Sequence, residues 1–117
     1  MDAHEHDTVF GALSHLPHVV AYALMSTVAG VKTDNHGDIL ALSAGGLRDI
    51  TRIASSDPVM WRDICLKNKR PVVTLINQFQ ETLTNIKTLI EEDQADALQE
   101  TFAHANLLRE KLAETNT

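Results

Sequence analysis

Residues 71–90 read PVVTLINQFQETLTNIKTLI, with apolar side chains at Val72, Ile76, Phe79, Leu83, Ile86 and Ile90. Spacings of four and three alternate along that set, the seam of a long α-helix about three heptads in length. Pro71 suits the opening turn of such a helix, where a missing N–H is no loss. Downstream, EEDQAD (residues 91–96) reads as a bend with Asp93 as helix N-cap, and a last helix presents Ala95, Leu98, Phe102, Ala105, Leu108 and Leu112. Two helices joined by a short turn form an αα-hairpin. The seam can be buried within one chain or against a second copy.

Upstream, helical spacing continues and the alternation of a strand is missing. Residues 3–29 carry an apolar stripe at Phe10, Leu13, Pro17, Val20, Leu24 and Val28, with Gly30 placed as C-cap and KTDNHGD (residues 32–38) as the polar turn that follows. Asp38 can cap a short helix, ILALSA, which Gly45-Gly46 breaks, and a second short helix runs through LRDITRIA. Asp57 and Pro58 then stand as N-cap and first residue of a helix through VMWRDICLKN. The expected fold is all-α over a single domain, residues 1–117: a long N-terminal helix, short middle helices and the C-terminal hairpin. With an apolar N-terminal helix also to cover, an interlocked homodimer is expected.

Bulk properties restrict the function. Ten Lys plus Arg against sixteen Asp plus Glu leave a net charge of −6, which argues against the basic stripe a nucleic-acid binder needs. One cysteine, Cys65, excludes an internal disulfide and a cysteine-based zinc site, and suits a reducing compartment. No apolar run approaches about 18 residues, and the acidic start MDAHEHD is unlike a signal peptide. A cytoplasmic protein without a membrane partner is expected.

Two stretches could carry chemistry. In SHLPH, Ser14 and His18 lie four apart on one helical face, beside the apolar stripe. Pro17 cannot donate to the carbonyl of Leu13, so a bent helix with polar groups beside the bend is expected. His15, offset in angle from His18, reads as an ordinary packed histidine. The second stretch is AGGLRDITRIASSDPVMW, residues 44–61. Gly45-Gly46 lets backbone approach closely. Arg48 and Arg52 stand one turn apart, and Asp49 is spaced to orient the Arg52 guanidinium, a two-pronged donor matched to a carboxylate. Ile50, Ile53 and Ala54 make this helix half apolar, so one arginine is expected to be semi-buried. Trp61 reads as core packing. His4, His6, His15 and His18 cluster in sequence, but an i, i+3 pair with no second spaced pair of ligands is a poor metal site, and none is expected. No catalytic set is completed: no Gly-rich nucleotide cradle, no phosphate loop, and no acid to orient Ser14 with His18. From the residues alone, a ligand-binding fragment of an enzyme competes with a non-enzymatic helical dimerisation module and a metal-binding bundle.

HDTVFGALSHLPHVVAYAL followed by GGLRDITRIASSDPVMWRDI closely resembles the C-terminal helical domain of prephenate and arogenate dehydrogenases. The resemblance covers residues 2 to about 92, and the two motifs occur in order with a plausible gap. It implies a dimerising domain partnered by an N-terminal Rossmann domain that holds NAD or NADP and is absent from these residues, with the active site in the cleft between. Such enzymes convert prephenate to 4-hydroxyphenylpyruvate for tyrosine synthesis, and the histidine that polarises the hydroxyl belongs to the missing domain. By the same resemblance Arg52 grips the ring carboxylate. His18, with Ser14 nearby, positions substrate and the inhibitor tyrosine. Trp61 walls the pocket, and Gly45 brings backbone to its edge, from the partner subunit in one arrangement. Asp49 and Arg48 form the supporting ion pairs. His6-Asp7 also matches the family pattern, without a role. No catalytic residue and no cofactor-binding residue is expected in this fragment, which alone should be inactive.

Overall fold

A computed structural model of the chain describes residues 1–35 and 37–115. They form two compact units, Met1–Ile76 and Asn77–Thr117. The all-α expectation holds: the helices are α1 (Ala3–Phe10), α2 (Leu16–Ala29), α3 (Gly45–Thr51), α4 (Pro58–Lys67), α5 (Lys69–Glu91) and α6 (Ala95–Thr115). A two-residue antiparallel ladder, β1 (Lys32–Thr33) with β2 (Gly37–Asp38), closes the polar turn after α2. The cap expected from Asp38 rests on a side chain outside the described residues.

Residues 3–29 form one helical run, as their spacing predicts, but not a uniform one. Between α1 and α2 the backbone widens into a π-helical turn, Gly11–His15, in which the Leu16 N–H donates to the Gly11 carbonyl. The widened turn lies immediately ahead of Pro17, whose ring would clash with the carbonyl four residues back in a regular α-helix. The expected stripe is not the buried face. Leu13 is 74% exposed and Phe10 45%, whereas Gly11 and Ala21 are buried. Small residues set the contact because they let neighbouring backbone come close: a Cβ on Gly11 would lie 3.1 Å from Leu75 Cδ1 and 3.3 Å from Asn68 Nδ2. Gly11→Ala therefore gains about 1 kcal/mol of helix propensity but crowds an amide pinned by two hydrogen bonds. Crowding should win, lowering the urea-unfolding free energy by about 1 kcal/mol.

By length and composition alone the run Ala3–Ala29 is apolar enough to cross a membrane, which its sequence was not expected to show. A core helix passes the same test. Here α2 packs on α3 and on the 3-10 turn Arg52–Ser55. Asp57 caps α4 as expected, its Oδ1 accepting from the Val59 N–H at 3.1 Å, with Pro58 at the first position.

In the second unit, α6 follows α5 across residues 92–94. Asp93 is not the N-cap expected. It adopts φ +56° at the end of α5, while the Gln94 N–H reaches the Leu89 carbonyl at 2.9 Å, a Schellman ending. The seam stays half open: Leu83, Ile90, Phe102, Leu108 and Leu112 are each 49–57% exposed. Among the described residues only Ala21, Trp61 and Val72 are buried apolar side chains.

Candidate functional site

α2 and α4 meet through rings. Trp61 is the buried residue of α4. The His18 imidazole stacks on its indole with centroids 3.5 Å apart and planes 15° from parallel. His15, on the preceding turn, meets the same indole edge-on at 6.0 Å. Tyr22, one turn after His18, donates its hydroxyl to the Ser56 carbonyl at 2.8 Å and ties α2 to the approach to α4. Beside these rings lies a cleft of about 270 Å³. His18, Val19 and Tyr22 form one wall and Pro58, Trp61 and Cys65 the other, with Arg62 adding a cation. Burial pushes the Cys65 thiol up, which favours the thiol over the nucleophilic thiolate.

Hydrogen bonding fixes both imidazoles. His18 Nδ1 lies 2.8 Å from the Ser14 carbonyl oxygen, which only accepts, so Nδ1 carries a proton and Nε2 is the ring nitrogen left for a ligand. His15 has the opposite tautomer. Its Nδ1 accepts from Asn68 Nδ2 at 3.0 Å, and the same amide donates to the Asp7 carbonyl at 2.9 Å. Asn68 is buried, so it locks the start of α5 to α1 and to the widened turn. A second cleft of about 320 Å³ lies beside this link, between His6, Asp7 and Phe10 on one side and Ile64 and Lys67 on the other.

Burial, then the nearby His18, lowers the His15 pKa below the ordinary imidazole value, against a smaller pull upward from Asp7. A histidine depressed in the folded state contributes stability that is complete above the unfolded value near 6.5 and is lost as pH falls from there through the folded value. The stability of the wild-type chain should thus fall more between pH 7 and pH 5 than that of His15→Gln, measured by urea unfolding at each pH.

The sequence-derived residues divide into two groups. His18 and Trp61 come together, and Ser14 joins them through its carbonyl. Gly45, Arg48, Asp49 and Arg52 lie on α3 and the turn after it, all exposed, and none lines the His18–Trp61 cleft. No ion pair joins Asp49 to Arg48 or Arg52 among the described residues, so the supporting ion pair and the semi-buried arginine are corrected. The inward positions of this segment are Leu47, Thr51, Ile53 and Ala54, which leaves 48, 49 and 52 facing out. Trp61 is both core and wall. Sequence reasoning passed over Tyr22, Arg62, Cys65 and Asn68. The first was legible as the i+4 neighbour of His18, and Arg62 and Cys65 by their spacing from Pro58 and Trp61 along α4; Asn68 carried no signal.

The chain is similar over most of its length to proteins of one family. The model of the prephenate dehydrogenase dimerization domain matches residues 2–104. The chain is 38% identical to the cyclohexadienyl dehydrogenase of Zymomonas mobilis over 109 residues, 93% of this chain and 37% of that protein. It is 38% identical to the prephenate dehydrogenase of Bacillus subtilis over 117 residues, 96% of this chain and 30% of that one. A crystal structure of the Aquifex aeolicus prephenate dehydrogenase, in complex with hydroxyphenyl propionate and NAD+, superposes with a TM-score of 0.88 at 41% identity, covering 96% of this chain and 39% of that one. Synechocystis arogenate dehydrogenase superposes at 0.83 with 28% identity, covering 92% and 39%. The chain thus spans about a third of the length of the curated relatives it matches. With its helical run, its SHLPH turn and its ring-lined cleft in the matched region, the chain belongs to the family of prephenate dehydrogenase dimerization domains.

Proposed function

We propose that the chain is the substrate-binding and dimerising part of an NAD- or NADP-dependent prephenate dehydrogenase, a cytoplasmic enzyme of tyrosine synthesis. The observation that carries this reading is the His18–Trp61 cleft, a ring-walled space with an imidazole held in one tautomer, on a chain of this family. Its apolar walls suit the cyclohexadiene ring, and His18 Nε2 can pair with a polar group of the substrate or of the competing product-like amino acid tyrosine. Arg52 would hold the ring carboxylate by a two-pronged contact until that group leaves as carbon dioxide. Its exposure in a single chain suits a residue that faces a second body, either the nucleotide-binding domain or the partner subunit, and Gly45 with Arg48 and Asp49 would share that face. Bound NAD or NADP would supply the hydride acceptor, held by a domain outside these 117 residues, since this chain has no Gly-rich phosphate cradle. Loss of the carboxylate carbon leaves its bonding electron pair in the ring, which becomes aromatic. This chain's part is to bind and orient, so alone it should be inactive.

Combining the chain with a separately produced nucleotide-binding domain should restore prephenate-dependent NADH formation, and Arg52→Ala should cut kcat/KM by about 100-fold. A well-folded pair that forms no NADH with prephenate or arogenate would refute the reading and leave a non-enzymatic dimerisation module. The likeness to an arogenate dehydrogenase favours a second substrate reading, in which the side chain bears an amine in place of the keto group. Assaying both substrates on the same pair separates the two.

A further inference from the structure

We infer that Arg62 is a second carboxylate anchor of the His18–Trp61 cleft, the one that takes the side-chain acid of the substrate. The inference rests on the reading above that the cleft holds prephenate. Prephenate carries two carboxylates, one on the ring and one at the end of its three-carbon side chain, too far apart for one guanidinium to grip both. An anion brought against apolar walls needs a fixed positive partner. Among the described residues Arg62 is the only arginine or lysine that lines this cleft; Arg52 does not line it. It follows Trp61 directly, so its Cα is set by the same buried anchor that positions the indole.

The guanidinium is already oriented. Arg62 Nε donates to Asp63 Oδ1 at 3.0 Å, which fixes the plane of the group, and no described side chain takes the two outer nitrogens. Those nitrogens form the fork that matches a carboxylate. Asp63 opposes an incoming anion by its charge, but both partners are more than half exposed and solvent screens that repulsion. Arg52 and Arg62 then divide the work: one reads the carboxylate that is lost, the other the carboxylate that stays.

The sole tryptophan of the chain, Trp61, reports on the cleft by its own emission. The test titrates the full chain with prephenate and with 4-hydroxyphenylpropionate, which keeps the side-chain acid and lacks the ring acid. Arg62→Gln should weaken both ligands by about ten-fold. Arg52→Gln should weaken prephenate alone, and Arg70→Gln, an exposed arginine outside the cleft, should change neither. If Arg62→Gln leaves 4-hydroxyphenylpropionate affinity within two-fold of wild type, the anchor is wrong, and the functional reading stands as long as prephenate binding still depends on Arg52. If the wild-type chain binds neither ligand, the functional reading falls and takes the anchor with it.

Discussion

Leu108→Glu should convert the protein from a dimer to a monomer and remove most of its thermal stability. Five seam residues of α5 and α6 remain about half exposed in one chain, and only three apolar side chains are buried among the described residues. So thin an interior cannot offset the conformational entropy of ordering some 110 residues. A second copy laid on the seam would supply the missing burial, at about 1.5–3 kcal/mol for each fully covered large aliphatic or aromatic side chain. Two-fold symmetry makes each substitution count twice, so a buried glutamate at position 108 acts on both halves of the interface. Sedimentation velocity and a thermal melt measure the outcome. A wild-type chain that is monomeric at micromolar concentration, or a Leu108→Glu dimer as stable as wild type, would contradict it.

Trp61→Ala should be the most damaging change in the first unit. It empties a large buried volume, for which about 3–5 kcal/mol is typical, and it removes the surface on which His18 stacks and against which His15 places its edge. Loss of stability and loss of ligand binding are expected together. Trp61→Phe separates them: it fills most of the volume, should cost under about 2 kcal/mol, and should still weaken prephenate because the stacking area shrinks. Urea unfolding with parallel calorimetric titration reads both quantities. If Trp61→Phe binds prephenate as tightly as wild type, the indole is packing only and forms no part of the site.

Much of this was legible in the residues. Asp57-Pro58 marked the start of α4 because capping and the first-turn tolerance of proline are local effects. Pro17 marked a lesion in the long helix for the same reason, since a missing donor is felt within one turn. The form of that lesion was not legible. A widened turn beginning at Gly11 depends on contacts with Asn68, Leu75 and Pro71, some sixty residues away, and no local pattern announces them. The stripe through Phe10 and Leu13 misled for a related reason. Helices pack closest where side chains are smallest, so Gly11 and Ala21 face inward and larger residues are displaced outward.

The site was legible in halves. The pairing of His18 with Trp61 needed the resemblance, because 43 residues separate them and neither is unusual on its own helix. The ion pair between Asp49 and the arginines failed because α3 has only seven residues, and its inward positions are taken by Leu47 and Thr51. Arg62 was overlooked although it stands next to the one tryptophan. Arg62 lies one turn after Pro58 on α4, a register readable from the sequence.

His18 is the imidazole that presents a free ring nitrogen, Nε2, to a ligand. Two-dimensional NMR of the histidine side-chain nitrogens, with and without saturating prephenate, tests it. The His18 Nε2 resonance should move while its Nδ1 stays protonated on the Ser14 carbonyl, and the exposed His4 and His104 should not respond. An unchanged His18 in a sample where prephenate is bound would contradict the account at its centre.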